Sequence, residues 1–484
     1  MSGRMNPQLV YAATAPSTDY GARCGTAAPE LNCDCAGKPA TVALRNLFRA
    51  AGLDEERAGS EAWNPLGELV RPGERVLVKP NWVRHALQGL SSIECLVTHT
   101  SVLAGVLHYL VKARPSQIVV GDAPIQGCDF ERLRQQCRID ELKRHFEGCG
   151  VPIEIADFRL VKRQMWWDGA VKSEGRGESD YYLFDLGRES ALEPITSASA
   201  DFRVTMYPPP AMRQTHAPGQ HCYLIAREAI DADVIFSVPK LKTHKKAGIT
   251  GALKNMVGVN GHKSYLPHHR RGGSAQGGDC YEGYSLLKHM AESLYDAANS
   301  ATSRIAAPVL MSAATATGKV SRWIAADSNL EGSWYGNDTV WRMCLDLQQI
   351  VHYGMAGGVL SEMPQRRVIT ITDAIIAGEG EGPMDPAPVP LGLLTLAGNV
   401  AAAEWLHARL MGFDPATIPL TREAFRLRQR PLAAFGPDQV TLNLDGRVVE
   451  PAEIAGQFAY TFRPSAGWIG RCERDRNVAR QNCA

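Results

Sequence analysis

The chain has 484 residues, 45% of them hydrophobic and 21% charged, the balance of a globular protein rather than a disordered one. A formal net charge of +1 gives it no overall field to draw it to nucleic acid or to a membrane surface. No stretch reaches the roughly 18 consecutive apolar residues that a membrane span requires. The richest, Leu391 to Leu406, is broken by Asn399 and Glu404, and Met1 to Thr14 holds no continuous apolar region or cleavage site. A cytoplasmic protein without membrane insertion is expected.

The twelve cysteines are scattered as reduced thiols usually are. Only Cys24, Cys33 and Cys35 cluster, and a C-x8-C-x-C spacing without a paired C-x2-C favours free thiols over a metal site.

Residues 1–40 are rich in Ala, Pro, Gly and Thr and read as a flexible arm. Arg75 to Lys79 is a short apolar run stopped by Pro80, the pattern of a buried strand. Ser101 can cap a helix whose apolar positions Leu103, Val106, Leu107, Leu110 and Val111 share one face. A strand over Gln117 to Asp122, a helix over Glu131 to Glu147 and a run from Val151 to Ile155 follow. This alternation predicts a parallel sheet with right-handed crossovers.

Residues 41–156 are thus a first α/β lobe. In 157–222 the texture changes: Trp166, Trp167, Tyr181, Tyr182 and Phe184 lie among Gly, Ser and charges, as in a β-rich insertion. Residues 223–283 hold the strand Asp233 to Val238 and a basic Gly-rich loop. Residues 284–362 read as helical, with Val340, Met343, Cys344, Leu347 and Val351 on one face. A second α/β lobe, 363–435, has the strand Val368 to Asp373 and a helix from Ala401 to Met411 stopped by Gly412. In 436–484 an Asp445-Gly446 turn predicts a hairpin. The expected fold class is α/β, two lobes of mainly parallel sheet with a β-rich insertion and a helical segment between them.

Chemistry concentrates in one interval. Between Asp233 and Asp279 there is no acidic residue, but there are six lysines (240, 242, 245, 246, 254 and 263), two arginines (270 and 271) and four histidines (244, 262, 268 and 269). Such an excess is costly unless it faces water or an anion. Lys240, Lys242 and His244 leave the C-terminal end of a strand, where open parallel sheets collect ligands. Gly248 to Gly258 reads as a Gly-flanked short helix whose free N–H groups favour a phosphate or carboxylate. The P-loop spacing is missing, and the run lacks the interleaved aromatics of a nucleic-acid binder. A solvated loop is preferred for Arg270 and Arg271, and an exposed position for His268 and His269.

Val238-Pro-Lys-Leu-Lys-Thr-His244, Thr250-Gly-Ala-Leu-Lys-Asn255 and Gly258 resemble the signature of the family known as domain of unknown function 362. Val76 to Asn81, Val119 to Ala123, and Asp373 with Gly380 to Pro383 agree in order, so the resemblance spans about residues 75 to 420. Gly332-Ser-Trp-Tyr-Gly-Asn-Asp-Thr339 looks like the trait of a subgroup found among surface-polysaccharide genes. Membership implies a fold and a site, not an established reaction. Some members carry a ferredoxin-like iron–sulfur module, and no C-x2-C-x2-C-x3-C run exists here, so no such cluster is expected. The family's aspartates are replaced here by Asn399 and Glu404. A fainter similarity to the lactate racemase family rests on lysine and histidine beside a Gly-rich turn.

The acidic counterpart is Asp122, Asp373, Glu379 and Glu381, at or after strand ends. These carboxylates suit a hard divalent cation or the fixing of basic groups. Lys79, Asn81, Lys240, Lys242, Thr250, Gly251, Asn255 and Lys263 are the expected anion ligands. His244 and Lys254 are the expected catalytic pair, His244 as proton acceptor and Lys254 with a pKa lowered by crowded positive charge. Cys128 is weighed as a nucleophile and set down as a buried thiol. The sequence predicts an enzyme acting on a small anionic substrate, phosphorylated or carboxylated, in a basic interlobe cleft, metal-assisted or not. The alternative is a non-catalytic cofactor- or metal-binding protein.

Overall fold

The computed structural model describes residues 5–20, 38–87, 92–162, 171–172, 175–197, 201–205, 207–303, 305–325, 330–427, 429–449, 453 and 461–474. Cys24, Cys33, Cys35, Trp166 and Trp167 lie outside them.

In chain order the elements that matter begin with β1 (Leu9–Thr14), α1 (Pro39–Ala50), β2 (Arg75–Pro80), α2 (Thr100–Lys112), β3 (Gln117–Asp122) and β4 (Ile153–Asp157). The insertion contributes β5 (Tyr181–Asp185) and β6 (Gln220–Ala226), paired antiparallel. Then come β7 (Val234–Val238), β8 (Lys240–His244), β9 (Gly248–Thr250) and the one-turn α3 (Ala252–Asn255). Helices α4 (Leu286–Ser300), α5 (Ala306–Ala325) and α6 (Val340–Tyr353) precede β10 (Arg367–Glu381), β11 (Asp385–Val389), β12 (Leu393–Ala397) and α7 (Val400–Leu410). The hairpin β13 (Thr441–Leu444) and β14 (Arg447–Val449) follows.

Among the described residues one twelve-stranded sheet runs β14-β13-β1-β12-β10-β7-β2-β3-β4, with β8, β9 and β11 attached at the β10 side. Strands β10, β7, β2, β3 and β4 are parallel neighbours; β12 and β1 extend the sheet antiparallel. The α/β class is as expected. Strands assigned to a first and a second lobe nevertheless lie in one sheet, because β7 pairs with β2 on one side and β10 on the other.

Side-chain alternation builds two cores, one on each face. Leu77 and Ile235 enter one apolar cluster, while Val76, Val78, Val234 and Phe236 enter the other. Both faces being covered explains why these strands read as unbroken apolar runs.

Two expectations are corrected. Residues 9–14, placed in the arm, form β1, because Leu-Val-Tyr-Ala-Ala-Thr is apolar enough to be buried between β12 and β13. The helix over 131–147 is two, Phe130–Gln136 and Ile139–His145, split where Arg138 takes φ +54°. The Asp445-Gly446 hairpin forms as expected, with positive φ at both residues of its two-residue turn, and joins the main sheet beside β1.

Candidate functional site

The C-terminal ends of β2, β3 and β7 open into a cleft of ≈ 390 Å³, where parallel sheets present ligand sites. Asn81 and Val83 follow β2, and Asp122 to Gly127 follow β3. The basic segment supplies the opposite wall through His244, Lys245, Lys246, Thr250, Lys254 and Asn255. Lys263, His268 and Glu331 close one end, and Pro383 and Met384 the other rim.

The walls carry polar atoms that bond nothing among the described residues. Lys246 Nζ, Thr250 Oγ1, Asn81 Oδ1 and both amide atoms of Gln126 are buried without a hydrogen-bond partner there, and all four residues line the cleft. Buried groups of this kind are ordinarily answered by water or by a ligand.

Burial dominates the electrostatics. It pulls the Lys246 and Lys263 ammonium groups down to about 8, and lowers Lys254 as well. Lys246 has no hydrogen-bonded carboxylate, although Glu331 pulls in the opposite direction to burial. His244 is held well below the usual imidazole range by burial first and by Lys254 next. Its Nδ1 accepts from the backbone N–H of Lys246 (3.0 Å) and Ala247 (3.2 Å). A neutral ring with that lone pair engaged carries its proton on Nε2, so His244 is a donor and not the expected proton acceptor.

His268 has the reverse tautomer. Its Nδ1 lies 2.7 Å from the Leu266 carbonyl and must donate, leaving Nε2 as the acceptor. Its pKa too is far below normal, through burial and then Lys246. His268, expected at the surface, therefore lines the cleft, and His269 beside it is buried. The cause is the Gly332–Thr339 loop: Asn337 Nδ2 donates to the His268 carbonyl, and Trp334 Nε1 to that of Asp279.

Other expected ligands go elsewhere. Lys79 is fully buried beneath the cleft, 2.7 Å from Asp122 Oδ1, and also donates to the Pro80 carbonyl. Asn255 reaches the cleft but binds the Lys79 carbonyl and Ser237 Oγ through its amide. Gly258 seals this arrangement, since a Cβ there would stand 1.7 Å from Asp122 Oδ1. Lys240 pairs with Asp373 at 2.6 Å, both fully buried, and Tyr20 OH bonds both. Lys242 is pushed by burial to about 7 and donates to the Leu96 carbonyl. Neither Lys240 nor Lys242 lines the cleft. Gly251 packs on Glu404, whose Oε2 accepts from Leu253 N at 3.2 Å, so the start of α3 faces that carboxylate instead of an anion. Asn399 caps α7 through Ala401 N and Ala402 N. Cys128 is a buried thiol pushed up to about 11.

The four carboxylates expected to hold a cation are not brought together. Asp122 faces Lys79, and Asp373 faces Lys240. Glu379 and Glu381 instead accept from Arg463 N and Ala466 N, 2.8 Å each, tying down the segment from Arg463 to Trp468. Gly380 allows this, with φ +77°, while its carbonyl accepts from Ser465 Oγ. Trp468 Nε1 then donates to the Lys245 carbonyl at the cleft rim. Sequence reasoning passed over Lys246, His268, Gln126 and Glu331; the first two lie in the basic segment it singled out, and the others carry no local signal.

Residues 188–409 match the model of a family described as Domain of unknown function (DUF362). That span contains the Val238–His244, Thr250–Asn255 and Gly380–Pro383 motifs, while those at 76–81 and 119–123 lie before it. The thylakoid-associated protein sll1697 of Synechocystis sp. is 22% identical over 393 residues, 81% of this chain and 80% of its own length. A crystal structure of a protein from Thermotoga maritima aligns over 71% of this chain and 54% of that one, at 10% identity and a TM-score of 0.29. So distant a likeness bears on nothing below. Among the described residues no helix is long and apolar enough to cross a membrane.

Proposed function

We propose that the cleft takes a small anionic molecule, phosphorylated or carboxylated and sugar-derived, and that the protein is an enzyme moving a proton on it. The observation that carries this reading is the set of partnerless polar atoms around Lys246, in a cleft with three further lysines. Lys245, Lys246, Lys254 and Lys263 surround the anion, and an anion drawn among them restores charge to amines that burial has weakened. His244 Nε2–H donates to the substrate as a neutral imidazole, so it polarises an oxygen without losing its proton. His268 Nε2 accepts the proton, while Lys246 and Lys254 stay with the other lysines as ammonium groups that hold the anion. A cytoplasmic location and independence from nucleic acid belong to the same reading.

Calorimetry with inorganic phosphate, sugar phosphates and hydroxy acids tests it. At least one should bind, and Lys246→Met should weaken binding at least about tenfold, about 1.4 kcal/mol. No binding by any of them would sink the reading. His268→Asn separates catalysis from carriage: an enzyme keeps the ligand and loses turnover, whereas a carrier has no turnover to lose.

A further inference from the structure

Behind the cleft, the turn from His269 to Cys280 is pressed onto α4. Within it the ligating atoms of His269, Cys280 and Glu292 lie within 4.8 Å of one another, and all three side chains are buried. His269 is 5% exposed, yet its Nδ1 has no hydrogen-bond partner among the described residues. A buried imidazole nitrogen left bare, in a ring grouped with a thiol and a carboxyl, is costly unless something answers it.

Both partners are already oriented from behind. Cys280 Sγ accepts from Glu331 N at 3.1 Å, and Glu292 receives Gly272 N at 3.0 and 3.2 Å on its two oxygens. Backbone donors set around a thiolate and a carboxylate are what metal ligands use to hold their direction.

We propose that His269, Cys280 and Glu292 bind a borderline-soft divalent cation, zinc by the chemistry of the donors. Nitrogen, sulfur and oxygen together suit zinc better than calcium or magnesium, which take oxygen. Donors around a tetrahedral zinc stand about 3.3–3.8 Å apart, so these side chains need to close by no more than about 1.5 Å. A thiolate and a carboxylate around a doubly charged ion form a neutral unit, the form in which three polar groups are best buried. The site fastens the loop bearing His268 to α4. It also gives the Gly332–Thr339 motif a task, because Gly332 N donates to the Cys280 carbonyl and the loop encloses the cluster. This inference does not rest on the anion reading.

Full-length protein stripped by a chelator and titrated with Co²⁺ should take up about one equivalent, with the thiolate-to-cobalt absorption of a tetrahedral site. Cys280→Ser should abolish that band, and Glu292→Gln should weaken Zn²⁺ binding at least about tenfold. Cys344→Ser, on α6, should leave the band intact. A stripped wild-type chain that binds neither Co²⁺ nor Zn²⁺ overturns the proposal, as does a band that survives in Cys280→Ser or vanishes in Cys344→Ser. If Cys280→Ser does not fold, the wild-type titration with the Glu292→Gln and Cys344→Ser arms decides.

Discussion

Two groups of lysines from neighbouring positions meet opposite fates. Lys79 and Lys240 are fully buried, each hydrogen-bonded to a carboxylate, Asp122 at 2.7 Å and Asp373 at 2.6 Å. Lys246 is also buried but bonds nothing among the described residues, and Lys263, half-buried, donates there to the Ala123 carbonyl alone, at 3.3 Å. The first group has its counter-charge built into the fold. The second group feels a carboxylate without bonding one, Glu331 for Lys246 and Asp122 for Lys263. That difference separates residues that hold the sheet together from residues set out for a ligand.

The comparison breaks most readily at Asp373. Asp373→Asn leaves Lys240 buried without its carboxylate and should lower unfolding free energy by about 3–5 kcal/mol in urea denaturation. Lys246→Met should be neutral or stabilising in the same assay, since it removes an uncompensated ammonium and keeps the aliphatic stem. If the two variants behave alike, the division into paired and waiting lysines is wrong.

A smaller effect is expected at Gly258, where a methyl group meets Asp122 and Lys79 together. Gly258→Ala should cost about 1–3 kcal/mol by thermal or urea unfolding, because Asp122 can give way only by loosening its bond to the fully buried Lys79. An unchanged midpoint would mean that the ion pair tolerates displacement.

The smallest signal is in pH. Lys246 and Lys263 have folded-state pKa values of about 8 against an ordinary 10.5. Between those limits the unfolded chain binds more protons, so stability should rise as pH goes from about 8 to about 10 and be lowest below that window. Lys246→Met should flatten the rise in melting temperature. Phosphate affinity should run the other way, strongest below about pH 8, where the ammonium groups are charged. A cleft whose affinity grew with pH would contradict the role given to these lysines.

How much of this was legible in the sequence follows from the range of the interactions involved. The strands Arg75–Pro80, Gln117–Asp122 and Val234–Val238 announced themselves because burial on both faces leaves an unbroken apolar run. The basic interval announced itself by composition. Which lysine faces the cleft did not, because β8 pairs with β10 through a register shift between Lys240 and Lys242. Lys240 stands opposite Asp373, and the shift then sets Lys242 opposite Gly378. Nor could spacing reveal the tautomers of His244 and His268, which depend on two backbone N–H groups and one carbonyl. The half-buried place of His268 and the burial of His269 depend on a loop almost 70 residues downstream.

The strap from Arg463 to Trp468 couples distant parts of the chain. Glu379, Gly380 and Glu381 grip it, and it reaches back through Trp468 to the peptide of Lys245. It works as a buckle, clasping the far end of β10 to the peptide of Lys245 at the rim of the cleft, so that rim is held in part by residues more than 200 positions away.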